Sequence, residues 1–104
     1  VYGQHTGIDI SAPKGTSIVA AGAGTVVSAG WNNAYGWRII ISHGGGIQTL
    51  YAHMTSFAVS EGDYVNAGDT IGYVGSTGNS TGNHLHFSVL VNGSYVSPWG
   101  YVSA

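Results

Sequence analysis

Trp37–His53 reads WRIIISHGGGIQTLYAH. Ile39-Ile40-Ile41 stands before Gly44-Gly45-Gly46, and Ile47, Leu50 and Tyr51 follow. Consecutive glycines between apolar, β-branched runs favour two extended segments around a tight turn, because glycine takes positive φ without steric cost. Arg38–Ser42 is therefore expected to pair with Gln48–His53 as a β-hairpin. Val91-Asn92-Gly93-Ser94-Tyr95 places Asn-Gly between apolar residues and predicts a second hairpin.

The same grammar runs through the chain. Candidate strands are Ile8–Ile10, Ser17–Ala20, Gly24–Ala29, Trp37–His43, Ile47–His53, Thr70–Val74 and His84–Val91. Glycine accounts for 18 of 104 residues and proline for 2, which suits many short strands joined by tight turns. No stretch keeps an apolar period of 3.6 over three turns, so no long helix is expected. Gly15–Val27 also aligns without gaps on Gly62–Val74, placing Ile18 on Val65, Ala20 on Ala67 and Val27 on Val74. Either the chain holds a duplicated hairpin unit, or Gly-rich strand-turn sequence simply looks alike. Two such units packed together predict an all-β, antiparallel sandwich or barrel-like domain.

The totals narrow the function. One domain spanning 1–104 is expected at this length. The formal net charge is -2 and 6% of residues are charged, so a nucleic-acid partner is not expected. With no cysteine, neither a disulfide scaffold nor a thiolate zinc site can form. No apolar run is long enough to span a bilayer. The chain opens at Val1 and reads as an excised domain or mature product.

Four of the five histidines fall into patterns. His5-Thr-Gly-Ile-Asp9 places an imidazole and a carboxylate, both good zinc ligands, either side of a bend at Gly7. In His84-Leu-His86 the two imidazoles share one strand face while Leu85 and Phe87 take the other. One can ligate an ion while the other stands beside it; a solvated strand face is the alternative. In Tyr51-Ala-His53-Met54 the same alternation projects Tyr51 and His53 together, where phenol and imidazole could orient water or stabilise an oxyanion. His43 is expected to end a strand with no catalytic part. Lys14 and Arg38 read as isolated and solvated. Trp31, Tyr35 and Trp37 flank the Asn32-Asn33 turn as groove wall or as packing, and the Gly-rich stretches Gly44–Gly46 and Ser76–Gly82 could admit a slender peptide.

Taken together, HTGIDI at His5–Ile10, AAGAGTV at Ala20–Val26, TLYAHM at Thr49–Met54, EGDYVNAGDTIGYVGSTG at Glu61–Gly78 and TGNHLHF at Thr81–Phe87 resemble the lysostaphin-like (LytM-type) zinc metallopeptidases. The resemblance covers nearly the whole chain. It implies an antiparallel fold with a groove on one sheet, one Zn2+ held by His5, Asp9 and His86, and His53 and His84 acting on water, substrate or transition state. Their roles could be exchanged, with His84 the candidate general base and Tyr51 beside His53. It implies cleavage of the peptide part of peptidoglycan, hence an extracellular, cell-wall or periplasmic location, and leaves room for an attached wall-binding domain. The family's upstream strand is expected to be missing, since only four residues precede His5. Related folds offer rivals. An inactive regulator or binding module would have lost ligands, whereas all five residues are present here. A sugar-transport phosphocarrier would not need the His5–Asp9 pair. A lipoyl- or biotinyl-type carrier would need an acceptor lysine that EGDYVNAGDTIGYV lacks.

Overall fold

The computed structural model describes the backbone of residues 2–4 and 7–9, and residues 10–76 and 84–96 in full. Among these residues there are ten strands and no helix: β1 (Tyr2–Gln4), β2 (Gly7–Ser11), β3 (Ser17–Val19), β4 (Gly24–Asn32), β5 (Gly36–Gly44), β6 (Ile47–Phe57), β7 (Tyr64–Val65), β8 (Thr70–Val74), β9 (His84–Val91) and β10 (Ser94–Val96). They form one antiparallel sheet in the order β1-β2-β9-β6-β5-β4-β7, with β10 joined to β9 and β8 joined to both β3 and β6. No helix among them is long and apolar enough to cross a membrane.

The opening hairpin forms as read. Ser42 faces Gln48, Ile41 faces Thr49, Ile40 faces Leu50 and Ile39 faces Tyr51. Ile39 and Ile41 are fully buried and pack with Val26, Met54, Ile71 and Val89. The second hairpin also forms: Asn92 and Gly93 take φ of 52° and 83°, and Ser94 pairs with Val91. Positive φ at both central residues matches the twist of the flanking strands.

The two similar segments meet reciprocally. β3 pairs with β8, and β4 pairs with β7. Ala20 and Gly68 are tied by Ala20 N–H to Asp69 C=O at 2.9 Å and Gly68 N–H to Ala20 C=O at 2.9 Å. Ile18 and Val65 are buried at equivalent positions, whereas Val27 is exposed and Val74 buried. The units therefore do not stack as two separate sheets. They share one sheet, in which β6 pairs with β5 along one edge and with β9 and then β8 along the other.

Candidate metal centre

β6 changes partner partway along its length. Through Ala52, which faces His86, it pairs with β9; from Met54, which faces Val74, it pairs with β8. On the other side β6 carries one residue more than β5, because Ile39 faces Tyr51 but Trp37 faces Met54. The extra residue is a β-bulge, and such bulges re-aim a side chain. His53 sits there with φ of 61°, the left-handed region that non-glycine residues rarely adopt. Its backbone is held on both sides: its N–H donates to Tyr35 C=O at 2.7 Å, and its C=O accepts from Gly75 N–H at 3.0 Å. His84 N–H in turn donates to Gly75 C=O at 3.2 Å.

β9 supplies the other imidazoles. Leu85, Phe87 and Val89 face Ile10, Tyr51 and Thr49, on the core side. His84, His86 and Ser88 take the opposite face, as the alternation predicts. The rings of His53 and His84 lie 4.8 Å apart between centroids, and those of His53 and His86 lie 6.1 Å apart. Across the neighbouring strand pair, Asp9 stands directly opposite His86 and Ser11 opposite His84. Opposed positions of an antiparallel pair share a face and bring Cβ atoms within about 4.5–5.5 Å. His5 lies outside the described residues, as do the Asp9 side chain and most of the expected Ser76–Gly82 loop. Among the described residues no three His, Cys, Asp or Glu side chains make a metal-holding group by themselves.

Ser88 was not singled out by the sequence reading. It is fully buried, and its Oγ lies 3.0 Å from His86 Nε2. Extending the His84-Leu-His86 alternation by two residues points to it.

The shared-face expectation for Tyr51 and His53 is corrected. The bulge breaks the alternation between them, so His53 joins His84 and His86 while Tyr51 enters the core against Phe87, ring centroids 5.3 Å apart. The Tyr51 hydroxyl accepts from Ala21 N–H at 2.9 Å and from Thr49 Oγ1 at 2.8 Å. Burial raises its pKa above the ordinary phenol value, against the opposing pull of the Ala21 and Thr49 hydrogen bonds. Its part is to pin the Ala21 segment to β6. Tyr51→Phe is expected to destabilise the domain by about 1–3 kcal/mol by orphaning buried partners, with metal content unchanged. Thermal denaturation with metal analysis checks both.

His43 extends the same polar chain, with Nδ1 at 2.8 Å from Ala23 C=O and Nε2 at 2.7 Å from Thr49 Oγ1. Arg38 is not simply solvated. Its Nε is buried without a hydrogen-bond partner among the described residues, and its Cζ lies 5.9 Å from the Tyr35 ring centroid. Tyr35 itself reaches the site from the β4–β5 turn. Its ring stacks on His86 at 5.6 Å and 27°. Burial, then the hydrogen bond to Tyr95, push its phenol up to about 12, so it stays protonated through the neutral range.

The sheet gathers three imidazoles where an acidic position stands opposite one of them, donors of the kind that suit a metal or proton-transfer centre. The chain belongs to peptidase family M23, whose sequence pattern matches residues 3–98. It is 47% identical over 94 residues to the DD-carboxypeptidase/endopeptidase Mpg of Neisseria meningitidis serogroup B, covering 90% of this chain and 22% of that protein. The catalytic domain of the antimicrobial peptidase lysostaphin from Staphylococcus simulans superposes with a TM-score of 0.89 at 38% identity, over 94% of this chain and 78% of that one. A zinc-containing peptidase from Vibrio cholerae superposes with a TM-score of 0.86 at 34% identity, over 89% of this chain and 29% of that one. The chain thus spans about a fifth of the length of the curated relatives it matches.

Proposed function

We propose that this chain is a zinc-dependent endopeptidase domain that hydrolyses peptide crosslinks or bridges of bacterial peptidoglycan. The observation that carries the reading is the convergence of His53, His84 and His86 at the point where Asp9 stands opposite His86. Membership of a peptidase family and similarity to Mpg, lysostaphin and a zinc-containing peptidase support it. A mixed imidazole–carboxylate donor set suits zinc, and His5, Asp9 and His86 would hold one ion. When bound, zinc supplies Lewis acidity, polarising a carbonyl and lowering the pKa of water from about 15.7 to near 7.

The chain's own residues do the rest. His84 accepts the proton of the attacking water as general base and can return it to the leaving amine. His53, across 4.8 Å from His84 between ring centroids, orients the water or donates a hydrogen bond to the developing oxyanion. The two residues could exchange these tasks. The place of action would be the cell wall, outside the cytoplasm or in the periplasm, and the reading leaves room for a wall-binding module on the same polypeptide.

The test is digestion of purified peptidoglycans of different bridge types, with mass spectrometry of the fragments. Cleavage is expected to stop with chelator and return with added zinc. Asp9→Ala and His86→Ala are each expected to lose zinc and cleavage together. Digestion that continues unchanged in chelator, from protein shown to be metal-free, would falsify the reading.

A further inference from the structure

We propose that Tyr35 is a positioning residue that sets the orientation of His86 and the backbone of His53. The proposal rests on the reading of His86 as a metal-holding residue and adds a residue to that site.

The turn that carries Tyr35 is built to hold it still. Asn32 Oδ1 accepts from Ala34 N–H at 2.8 Å and from Tyr35 N–H at 3.1 Å. This side-chain turn fixes where the backbone of residue 35 points. From there Tyr35 makes three attachments. Its carbonyl accepts the His53 N–H at 2.7 Å, at the residue whose φ of 61° departs from the ladder. Its ring stacks on His86, nearly parallel at 27°. Its hydroxyl lies 3.0 Å from the Tyr95 hydroxyl on β10. One residue therefore ties the β4–β5 turn to β6, β9 and β10 at the place where the histidines meet.

The consequence follows from imidazole geometry. A ligating imidazole must aim one nitrogen at the ion, and the terminal side-chain torsion that aims it is soft. A flat ring laid on its face restricts that rotation. Hydrogen-bonded outer-shell groups that fix a ligand's orientation are worth about 10–100-fold in metal affinity, and a loss of that order is expected when the stacked ring is removed. The Tyr35 hydroxyl plays a lesser part, because the stack needs only the ring.

The experiment compares wild type, Tyr35→Leu, Tyr35→Phe and Tyr95→Phe as full chains. In the metal-free proteins, the His86 ring proton shifts are read by NMR. Zinc affinity is read by competition with a chelator, and the melting midpoint of the metal-free form is recorded beside it. Tyr35→Leu is expected to lose the upfield ring-current shift at His86 and to weaken zinc binding about 10–100-fold. Tyr35→Phe is expected to restore both, and Tyr95→Phe to keep both. The proposal is overturned if Tyr35→Leu leaves the His86 shifts in place. It is also overturned if Tyr35→Leu and Tyr35→Phe weaken zinc equally, or if zinc binding in Tyr35→Leu matches wild type. A wild-type chain that binds no zinc sinks the metallopeptidase reading and the Tyr35 proposal with it; His86 shifts that ignore Tyr35→Leu sink only the latter.

Discussion

His53→Ala is expected to lower peptidoglycan turnover by about 10²–10⁴-fold, the range lost with a general acid–base or oxyanion partner, while zinc stays bound. His53 occupies a place in β6 that regular pairing would not give it. The strand leaves β9 after Ala52 and takes up β8 at Met54, and the residue between carries φ of 61°. Such a backbone costs about 1–3 kcal/mol in a non-glycine residue and persists where the surroundings enforce it. Here the Tyr35 carbonyl and the Gly75 amide do so. The return is a buried imidazole 4.8 Å from that of His84 between centroids. His53→Asn separates the two effects, because asparagine tolerates left-handed φ and keeps the bulge while losing the imidazole. Loss of turnover in both variants, with normal zinc content and similar melting points, places the effect in the chemistry. Full turnover in His53→Asn would remove His53 from the mechanism.

The bulge also marks where sequence reasoning stopped. Alternation located the faces of β9 correctly, since an unbroken strand keeps period two from His84 to Val91. It failed between Tyr51 and His53 because one inserted residue moves every later side chain to the other face. The pairing of Arg38–Ser42 with Gln48–His53 was legible from the glycine turn and apolar runs, and it holds as far as Tyr51, where the bulge begins. β1 (Tyr-Gly-Gln) and β7 (Tyr-Val) carry too little β-branched pattern to be read as strands, whereas β10 was legible through its Asn-Gly hairpin. The meeting of Asp9 and His86 was implied only by the family resemblance and not by local pattern. It depends on β2 and β9 becoming neighbours, which is set by the order of the whole sheet. Tyr35 reaches His86 by the same route, from a turn whose destination no local signal gives.

Gly75→Ala is expected to destabilise the domain by about 1–3 kcal/mol, the usual result of forcing a group into filled space. At about 4–8 °C per kcal/mol for a domain near this size, a thermal melt resolves it readily. A methyl group at Gly75 would lie 2.8 Å from the Thr55 backbone nitrogen, 2.9 Å from its Cβ and 3.0 Å from its Cα. These atoms belong to the segment of β6 just past the bulge, and backbone cannot swing aside as a flexible side chain does. Gly75 bonds both to His53 C=O and to His84 N–H, so separating it from β6 loosens the two histidines together. Turnover is therefore expected to fall even at temperatures where the variant remains folded. Gly30→Ala is the control. Its added methyl meets nothing within 4 Å, and a change within about 0.5 kcal/mol is expected there. If the two alanine variants melt alike, close packing at Gly75 is not what holds His53 and His84 in place.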